Sequence, residues 1–484
     1  MRPIRRGKGG VMQRLLGLDL AITAESRACL TDGGGKVLCE RRFHLTRPDL
    51  EALHEAATEG MGHGDVLVVV MEPTGVSWVA PASFFRSRGA LVHLVPPEQS
   101  ADLRRYYAKH VKNDRIDAKL LARLPLLHPE GLHEAEVPCG ARGTLRRVVA
   151  RRARLASECS RHRQRVRSML QLAMPEMSEA LGEELGKGAL AVLSRYGDPR
   201  HMLRLGRARL AQVLIKATRG AWRERKAEHI LFAARAAVEL WEGLEGCDFT
   251  EVAEDLAAEV RLIRSIESEL RELDARAAGL LDEIDPDGLH LSLPGFGERT
   301  ATTVAGRLGD ASRFPAASKV RSYVGVIPGT NQSGESESRP RLTKAGDHTL
   351  RHALFMAAET ARRLDPQLAA IYHRQVIERG NHHTKAVCAV ATALTTRLVA
   401  VLREERPYII RDINGTPVDP QEAKRIIAER YTVPAEIRAA RRQPRSAQRM
   451  KGRPTGGVKS KASPPSPPAD EASEQDATRV LVEA

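Results

Sequence analysis

Apolar positions in the first part of the chain fall in short blocks or alternate with polar ones. Beyond them they recur at helical spacing over most of the remaining length. Residues 15–22 (LLGLDLAI) form a β-type run with one acid, Asp19, at its centre. The runs 26–31 and 36–43 follow, joined by the turn Asp32-Gly-Gly-Gly35, so three consecutive strands are predicted. A helix is predicted over 48–59. Residues 66–71 (VLVVVM) are continuously apolar, the pattern of a strand in the buried middle of a sheet, and end directly in Glu72-Pro-Thr-Gly75. A helix at 76–88, a strand at 90–95 and a helix from 98 onward complete the order βββαβαβα.

That order predicts an α/β domain with a ribonuclease-H-like sheet, in which the first and fourth strands are neighbours. Asp19 and Glu72 then meet at one edge. The stretch His110-Val-Lys-Asn-Asp114-Arg-Ile-Asp117-Ala-Lys-Leu-Leu-Ala-Arg123 has helical spacing of Ile116, Leu120 and Leu121, which puts Asp114 and Asp117 three apart on one face. Adjacent carboxylates repel unless a cation lies between them, and hard divalent ions such as Mg²⁺ take oxygen ligands. Gathered together, Asp19, Glu72, Asp114 and Asp117 would hold two such ions in the manner used for phosphodiester cleavage. Taken singly, the DxxD pair reads more readily as a solvated helix start paired with Lys112, Arg115 and Lys119.

From 142 to 174 the chain is helical and dense in arginine. Leu145, Val148, Val149, Leu155, Val166, Met169 and Leu170 leave a wide face of Arg146, Arg147, Arg151, Arg152, Arg154, Arg161, Arg163, Arg165 and Arg167. Guanidinium groups on a rigid rod suit a phosphate backbone, without distinguishing DNA from RNA. Residues 176–250 are amphipathic helical material with no assignable chemistry. Then Val252, Leu256, Glu259, Ile263, Ile266, Leu270, Leu273, Ala277, Leu280 and Ile284 alternate steps of four and three, a coiled-coil seam broken only by Glu259, beside which Val260 can turn in. The seam has two possible partners, the arginine-rich helix of the same chain or a second copy, and self-association into a dimer is the favoured expectation.

After the coil, Leu293-Pro-Gly295-Phe-Gly297 resembles the turn of a helix-hairpin-helix, whose glycine amides can hold a phosphate; a plain interhelical turn fits as well. Next comes a polar loop, Tyr323-Val-Gly-Val-Ile-Pro-Gly-Thr-Asn-Gln-Ser333-Gly334, with Arg339, Arg341, Lys344 and Arg351 nearby to neutralise charge on a phosphate. Local physics does not separate Ser333 from Ser336 and Ser338. The segments 349–362 and 385–403 are helical. The chain thus divides into a basic arm expected to be disordered (1–13), the α/β domain (14–140), arginine-rich helices and coiled coil (141–288), a mainly helical C-terminal domain carrying the serine loop (289–410), and a tail (411–484) expected to be disordered from about residue 440.

Composition narrows the partners. The chain has 484 residues, a formal charge of +15 and a pI near 9.8, which favours a polyanion such as nucleic acid. No stretch reads as a membrane span and the basic start lacks a signal-peptide core, so a cytoplasmic protein is expected. The six cysteines are scattered without metal-ligand spacing.

With both centres in view, the sequence resembles the IS110-family transposases, DEDD recombinases related to Piv invertase. The likeness covers about residues 14–410 and rests on GLDL at Asp19, MEPTG at Glu72, KNDRIDA at Asp114 and Asp117, the LPGFG turn, YVGVIPGTNQSG and LTKAGDHTLR. It implies a RuvC-like N-terminal domain binding Mg²⁺ through the four acids, a coiled-coil linker and a C-terminal transposase domain whose serine attacks DNA. By motif position that serine is Ser333. It further implies a structured non-coding guide RNA from the element, pairing with donor and target DNA, and homo-oligomers (dimer or tetramer) with composite sites. One departure is that relatives often carry glycine where this chain has Pro340-Arg341, before the Leu-Thr-Lys segment. Two competing functions follow from the same residues: a RuvC-like metal-dependent nuclease or junction resolvase using water, and a nucleic-acid-binding protein whose acids are structural.

Overall fold

The computed structural model describes residues 12–73, 75–97, 99–100, 102, 114–129, 132–137, 139–182, 184–326, 332–333, 336–337 and 346–441. The first unit is a twisted sheet with helices on both faces. Its elements are β1 (Gln13–Asp19), β2 (Ser26–Asp32), β3 (Val37–Phe43), α1 (Arg47–Thr58), β4 (Val66–Met71), α2 (Val79–Arg86), β5 (Leu91–Leu94), α3 (Asp114–Leu127) and β6 (His133–Glu134). The strand order is β3-β2-β1-β4-β5-β6. β1, β2 and β3 are antiparallel, β4 lies parallel to β1, β5 parallel to β4, and β6 antiparallel to β5. This agrees with the ribonuclease-H-like order expected from the sequence. The two-residue β6 was not anticipated, being too short to show a pattern.

Side-chain parity sorts the sheet into two faces. Leu16, Leu18, Leu30, Phe43, Val69 and Met71 pack with α1 and α2 into one core. Leu15, Val68 and Val70 pack on the opposite face against Leu121 and Leu124 of α3. The helix reaches the sheet at Gly17, where an added Cβ would stand 2.1 Å from the Ala118 carbonyl oxygen and 2.4 Å from the Ala122 nitrogen. Only glycine permits that approach of backbone to backbone.

The next elements are helical: α4 (Gly140–Ala173), α5 (Pro175–Leu181), α6 (Lys187–Leu193), α7 (Pro199–Thr218), α8 (Glu224–Leu240) and α9 (Phe249–Ile284). α4 and α9 run antiparallel along each other, as their ion pairs show: Arg151–Glu269, Arg152–Asp274, Arg163–Glu267 and Arg165–Glu259. Contrary to the expected dimer, the seam therefore buries Leu256, Val260, Ile263, Leu273, Ala277 and Leu281 within the chain, because the arginine-rich helix folds back along it. Glu259 interrupts the apolar register because it binds His162, with Oε2 2.5 Å from Nδ1, and Arg165; Val260 is buried beside it. One half of this helical pair joins a core with α5 to α8. The other half, through Leu145, Val148, Val149, Leu273, Ala277 and Leu281, joins the C-terminal core.

That core is built from α10 (Glu298–Leu308), α11 (Ala317–Val324), α12 (His348–Ala361), α13 (Pro366–His373) and α14 (His383–Glu404), with a short hairpin of β7 (Gln332–Ser333) and β8 (Ser336–Glu337) between α11 and α12. α15 (Pro420–Arg430) and α16 (Ala435–Ala440) follow. Contrary to the expectation that no stretch reaches membrane-span character, α14 is long and apolar enough by length and composition. Its Ala386, Val387, Val390, Leu394 and Leu398 are fully buried in the helical core, which accounts for its hydropathy.

Candidate active site

The acids converge through strand register. Leu18 of β1 pairs with Met71 of β4, so Asp19 and Glu72 are the next residues at the carboxyl ends of adjacent parallel strands. Asp19 continues the parity of Leu15 and Gly17, and Glu72 that of Val68 and Val70, which is the face covered by α3. The direction of α3 follows from its far end: Arg123 donates to the Gly35 carbonyl at 3.5 Å, and Leu126 lies under Gly35, in the turn beside the start of β1. α3 therefore runs antiparallel to β1 and brings its first turn, containing Asp114 and Asp117, to the strand ends that carry Asp19 and Glu72. Acids in a first turn also interact favourably with the helix dipole.

Asp19, Glu72 and Asp117 are all half-buried. For Asp114 the backbone position is described and the side chain lies outside the described residues. Among the described residues no three acids, histidines or cysteines form a ready metal cluster. The chemistry of the donors nonetheless fits a hard divalent cation, since every candidate ligand is a carboxylate and Asp19, Glu72 and Asp117 are partly exposed. Sequence reasoning missed Ser100, whose hydroxyl donates to Glu72 Oε2 at 2.6 Å. The Pro97 carbonyl is also 3.0 Å from the Ser100 hydroxyl, but a hydroxyl has one proton and the charged acceptor is the stronger. No sequence motif marks Ser100; it is found only once the chain after β5 is seen to return past Glu72.

The second centre is framed rather than filled. Ser333 lies in β7, where it pairs with Ser336 of β8. Arg339 and Lys344 lie outside the described residues. The two feet of the loop are tied together. The Gly346 backbone packs on the Tyr323 carbonyl, where an added Cβ would be 2.4 Å from the oxygen, and the Asp347 nitrogen donates to that oxygen at 3.0 Å. Asp347 caps α12 through Leu350 and binds Arg307, whose Nε is 2.7 Å away. Arg351, expected to meet phosphate, donates to the Val324 carbonyl at 3.3 Å. Thr392 approaches the Val326 carbonyl at 3.3 Å.

The arginine face is partly spent inside the molecule: Arg151, Arg152, Arg163 and Arg165 face acids of α9. Arg147 bonds Thr144 and Arg167 bonds Gln164, both within α4, and Arg154 is exposed. Arg146 lines a groove of about 350 Å³ with Arg86, Arg142 and Arg313, opposite Glu134, Glu136 and Asp310. In the LPGFG turn, Gly295 has φ +80° and presses on α12, where a Cβ would meet the Ala357 carbonyl at 2.3 Å. Its requirement for glycine is therefore both conformational and steric, with no phosphate needed to explain it. Gly297 is exposed at the N-cap of α10 with nothing near its Cβ position.

Comparison with known proteins adds two family matches: the DEDD transposase model of IS110 elements over residues 16–175, and the transposase model of the IS116/IS110/IS902 family over residues 289–373. The chain is 29% identical over 395 residues to the "Insertion element IS110 uncharacterized 43.6 kDa protein" of Streptomyces coelicolor, covering 81% of this chain and 95% of that one. It is 24% identical over 306 residues to the corresponding IS116 44.8 kDa protein of Streptomyces clavuligerus, 62% of this chain and 74% of the relative. It is also 29% identical over 118 residues to the pilin gene-inverting protein of Moraxella bovis, 24% and 37% of the two chains.

Proposed function

The chain belongs to the IS110 family of transposases and is an enzyme acting on DNA, and from that premise we propose that it cuts, exchanges and rejoins strands through Asp19, Glu72, Asp114, Asp117 and Ser333. The observation that carries this reading is the meeting of Asp19 and Glu72 at adjacent parallel strand ends with the first turn of α3. Family membership implies a divalent metal ion, which we assign as Mg²⁺ held by the four carboxylates. When bound, such an ion polarises the scissile phosphate and stabilises a leaving oxygen. Ser100 orients the Glu72 carboxylate from outside the ligand set.

The Ser333 hydroxyl attacks the scissile phosphorus and gives up its proton. The phosphodiester bond breaks, a strand hydroxyl leaves, and the chain holds a DNA phosphoserine ester. A hydroxyl from the other strand attacks that ester, releasing Ser333 and restoring a phosphodiester without an external energy source. The recombination reading draws further support from the pilin gene-inverting relative. An element-encoded guide RNA and a homo-oligomeric (dimer or tetramer) cytoplasmic enzyme belong to the same proposal.

Trapping of a covalent adduct tests it. The protein is expressed with its gene's non-coding flanks and supplied with junction DNA and Mg²⁺, beside Ser333→Ala and Asp19→Ala. The expected result is an adduct in the wild type that both variants lose. Cleavage with free 5′-phosphate ends and no adduct would assign the site to a metal-and-water nuclease instead.

A further inference from the structure

A groove of about 250 Å³ opens beside the acidic edge, between α3 and strands β2 and β3, and its walls are basic. Its position follows from register. Asp19 pairs with Arg27, and Arg27 pairs with Arg42, so these residues form a row across three strands on the α3 face. Strands lie about 4.8 Å apart, which sets Arg27 and Arg42 roughly 5 and 10 Å along the sheet from Asp19. Ala118 closes the groove on the helix side and Cys29 forms its floor. Lys119 and Arg123 of α3 are close enough to act on the Cys29 thiol, which burial and the neighbouring Glu40 push up to about 11. Glu40 is the one acid in the lining, against Arg27 and Arg42.

We propose that this groove is a track for the DNA strand being cut, in which Arg27 and Arg42 bind the phosphates next to the scissile one. The proposal rests on the recombinase reading for what lies at Asp19, and it adds a path by which the substrate enters. Single-stranded DNA is the occupant that the geometry favours, because the row begins at the acids themselves. A strand held at Asp19 meets Arg27 and Arg42 in sequence. Arg42 is available for exchange: its Glu25 partner is 3.4 Å away, with the two side chains 61% and 45% exposed, a pairing worth little in water.

The test is binding of a short single-stranded DNA to the full chain across a salt series, without metal, for wild type, Arg27→Ala/Arg42→Ala and Asp19→Ala. Losing two phosphate contacts is expected to make the slope of log affinity against log salt shallower by about 1.4 and to weaken binding at low salt about tenfold or more. Without metal, Asp19→Ala removes a carboxylate that repels phosphate and should bind at least as tightly as wild type. Arg42→Lys, which keeps the charge, should restore most of the loss of Arg42→Ala. If the double variant does not fold, Arg42→Glu alone, at an exposed site, is the variant read.

Unchanged affinity and slope in a folded variant overturn the track. Loss of binding to a matched RNA with DNA binding intact overturns it too, and assigns the groove to RNA. If the wild type forms no adduct and does not cleave, yet the arginine variants still lose DNA binding, the recombinase reading fails while the track stands.

Discussion

Replacing Gly17 by alanine adds one methyl group, and the structure says where it goes. The new Cβ would lie 2.1 Å from the Ala118 carbonyl oxygen and 2.4 Å from the Ala122 nitrogen, where ordinary contact begins near 3.4 Å. Both neighbours are backbone, so no rotamer change relieves the overlap, and α3 must move away from β1 by more than an ångström. Overpacking of this kind costs about 1–3 kcal/mol. With Asp114 and Asp117 in the roles proposed above, the functional cost is larger, because the displaced helix carries both. A misplacement of about 1 Å in a catalytic arrangement lowers the rate about a hundredfold. A chain with several cores does not unfold in one step. The stability assay is therefore hydrogen exchange resolved by segment, with α12 as internal reference, beside metal-dependent cleavage of junction DNA. Exchange should quicken in β1 and α3 and stay unchanged in α12. Wild-type exchange in α3 together with wild-type cleavage would refute the argument that this glycine sets the helix on the acidic edge.

Four further outcomes follow from single contacts. Ser100→Ala removes the hydrogen bond to Glu72 and should raise the Mg²⁺ needed for half-maximal cleavage about ten- to hundredfold, read from a metal titration at fixed DNA. Gly295→Ala should loosen the C-terminal helices by about 1–3 kcal/mol in hydrogen exchange, since its Cβ meets α12, whereas Gly297→Ala meets no neighbour and costs less, about 1 kcal/mol or below for the poorer N-cap. Glu259→Ala leaves His162 and Arg165 without their acceptor and should destabilise the α4–α9 pair by about 1–3 kcal/mol, an effect Glu259→Leu should largely reverse by completing the apolar seam; equal losses in both would show that the ion pair itself holds the helices. Burial holds the His290 pKa below its ordinary value of about 6.5, despite the opposing Asp285 carboxylate. In the window between the two values the unfolded chain binds a proton that the folded one lacks, so stability falls as pH drops through that window; a pH series of exchange rates at the end of α9 checks this, and His290→Gln should flatten it.

Much of the first domain was legible because its signals are local. An apolar run such as 66–71 has few alternatives to a buried strand, and an acid at its end has few places to go. The sequence stopped short where structure depends on partners distant along the chain. Ser100 reaches Glu72 only because the chain beyond β5 folds back, and Arg27 stands beside Asp19 only through antiparallel register. The seam of α9 was visible in its heptads, but periodicity states that a face is covered and not by what; α4 of the same chain covers it. The polar break at Glu259 was legible as an irregularity, and its reason was His162, almost a hundred residues away. At the loop, motif position singles out Ser333, while the structure supplies the clamp of Arg307, Tyr323 and Asp347 at its feet.

The arginine-rich helix changes how the excess charge is to be understood. A count of its guanidinium groups overstates what α4 can offer a polyanion, because four of them already face carboxylates of α9. Such pairs have little net charge at a distance, and exchanging them for phosphate gains only the difference between two similar interactions. Positive charge that is geometrically aligned with the chemistry is worth more than positive charge that is merely abundant. Arg27 and Arg42 are only two residues, but they extend the row that begins at Asp19. Substituting them should therefore change the salt dependence of binding by more, per charge removed, than substituting Arg151 and Arg163 of α4.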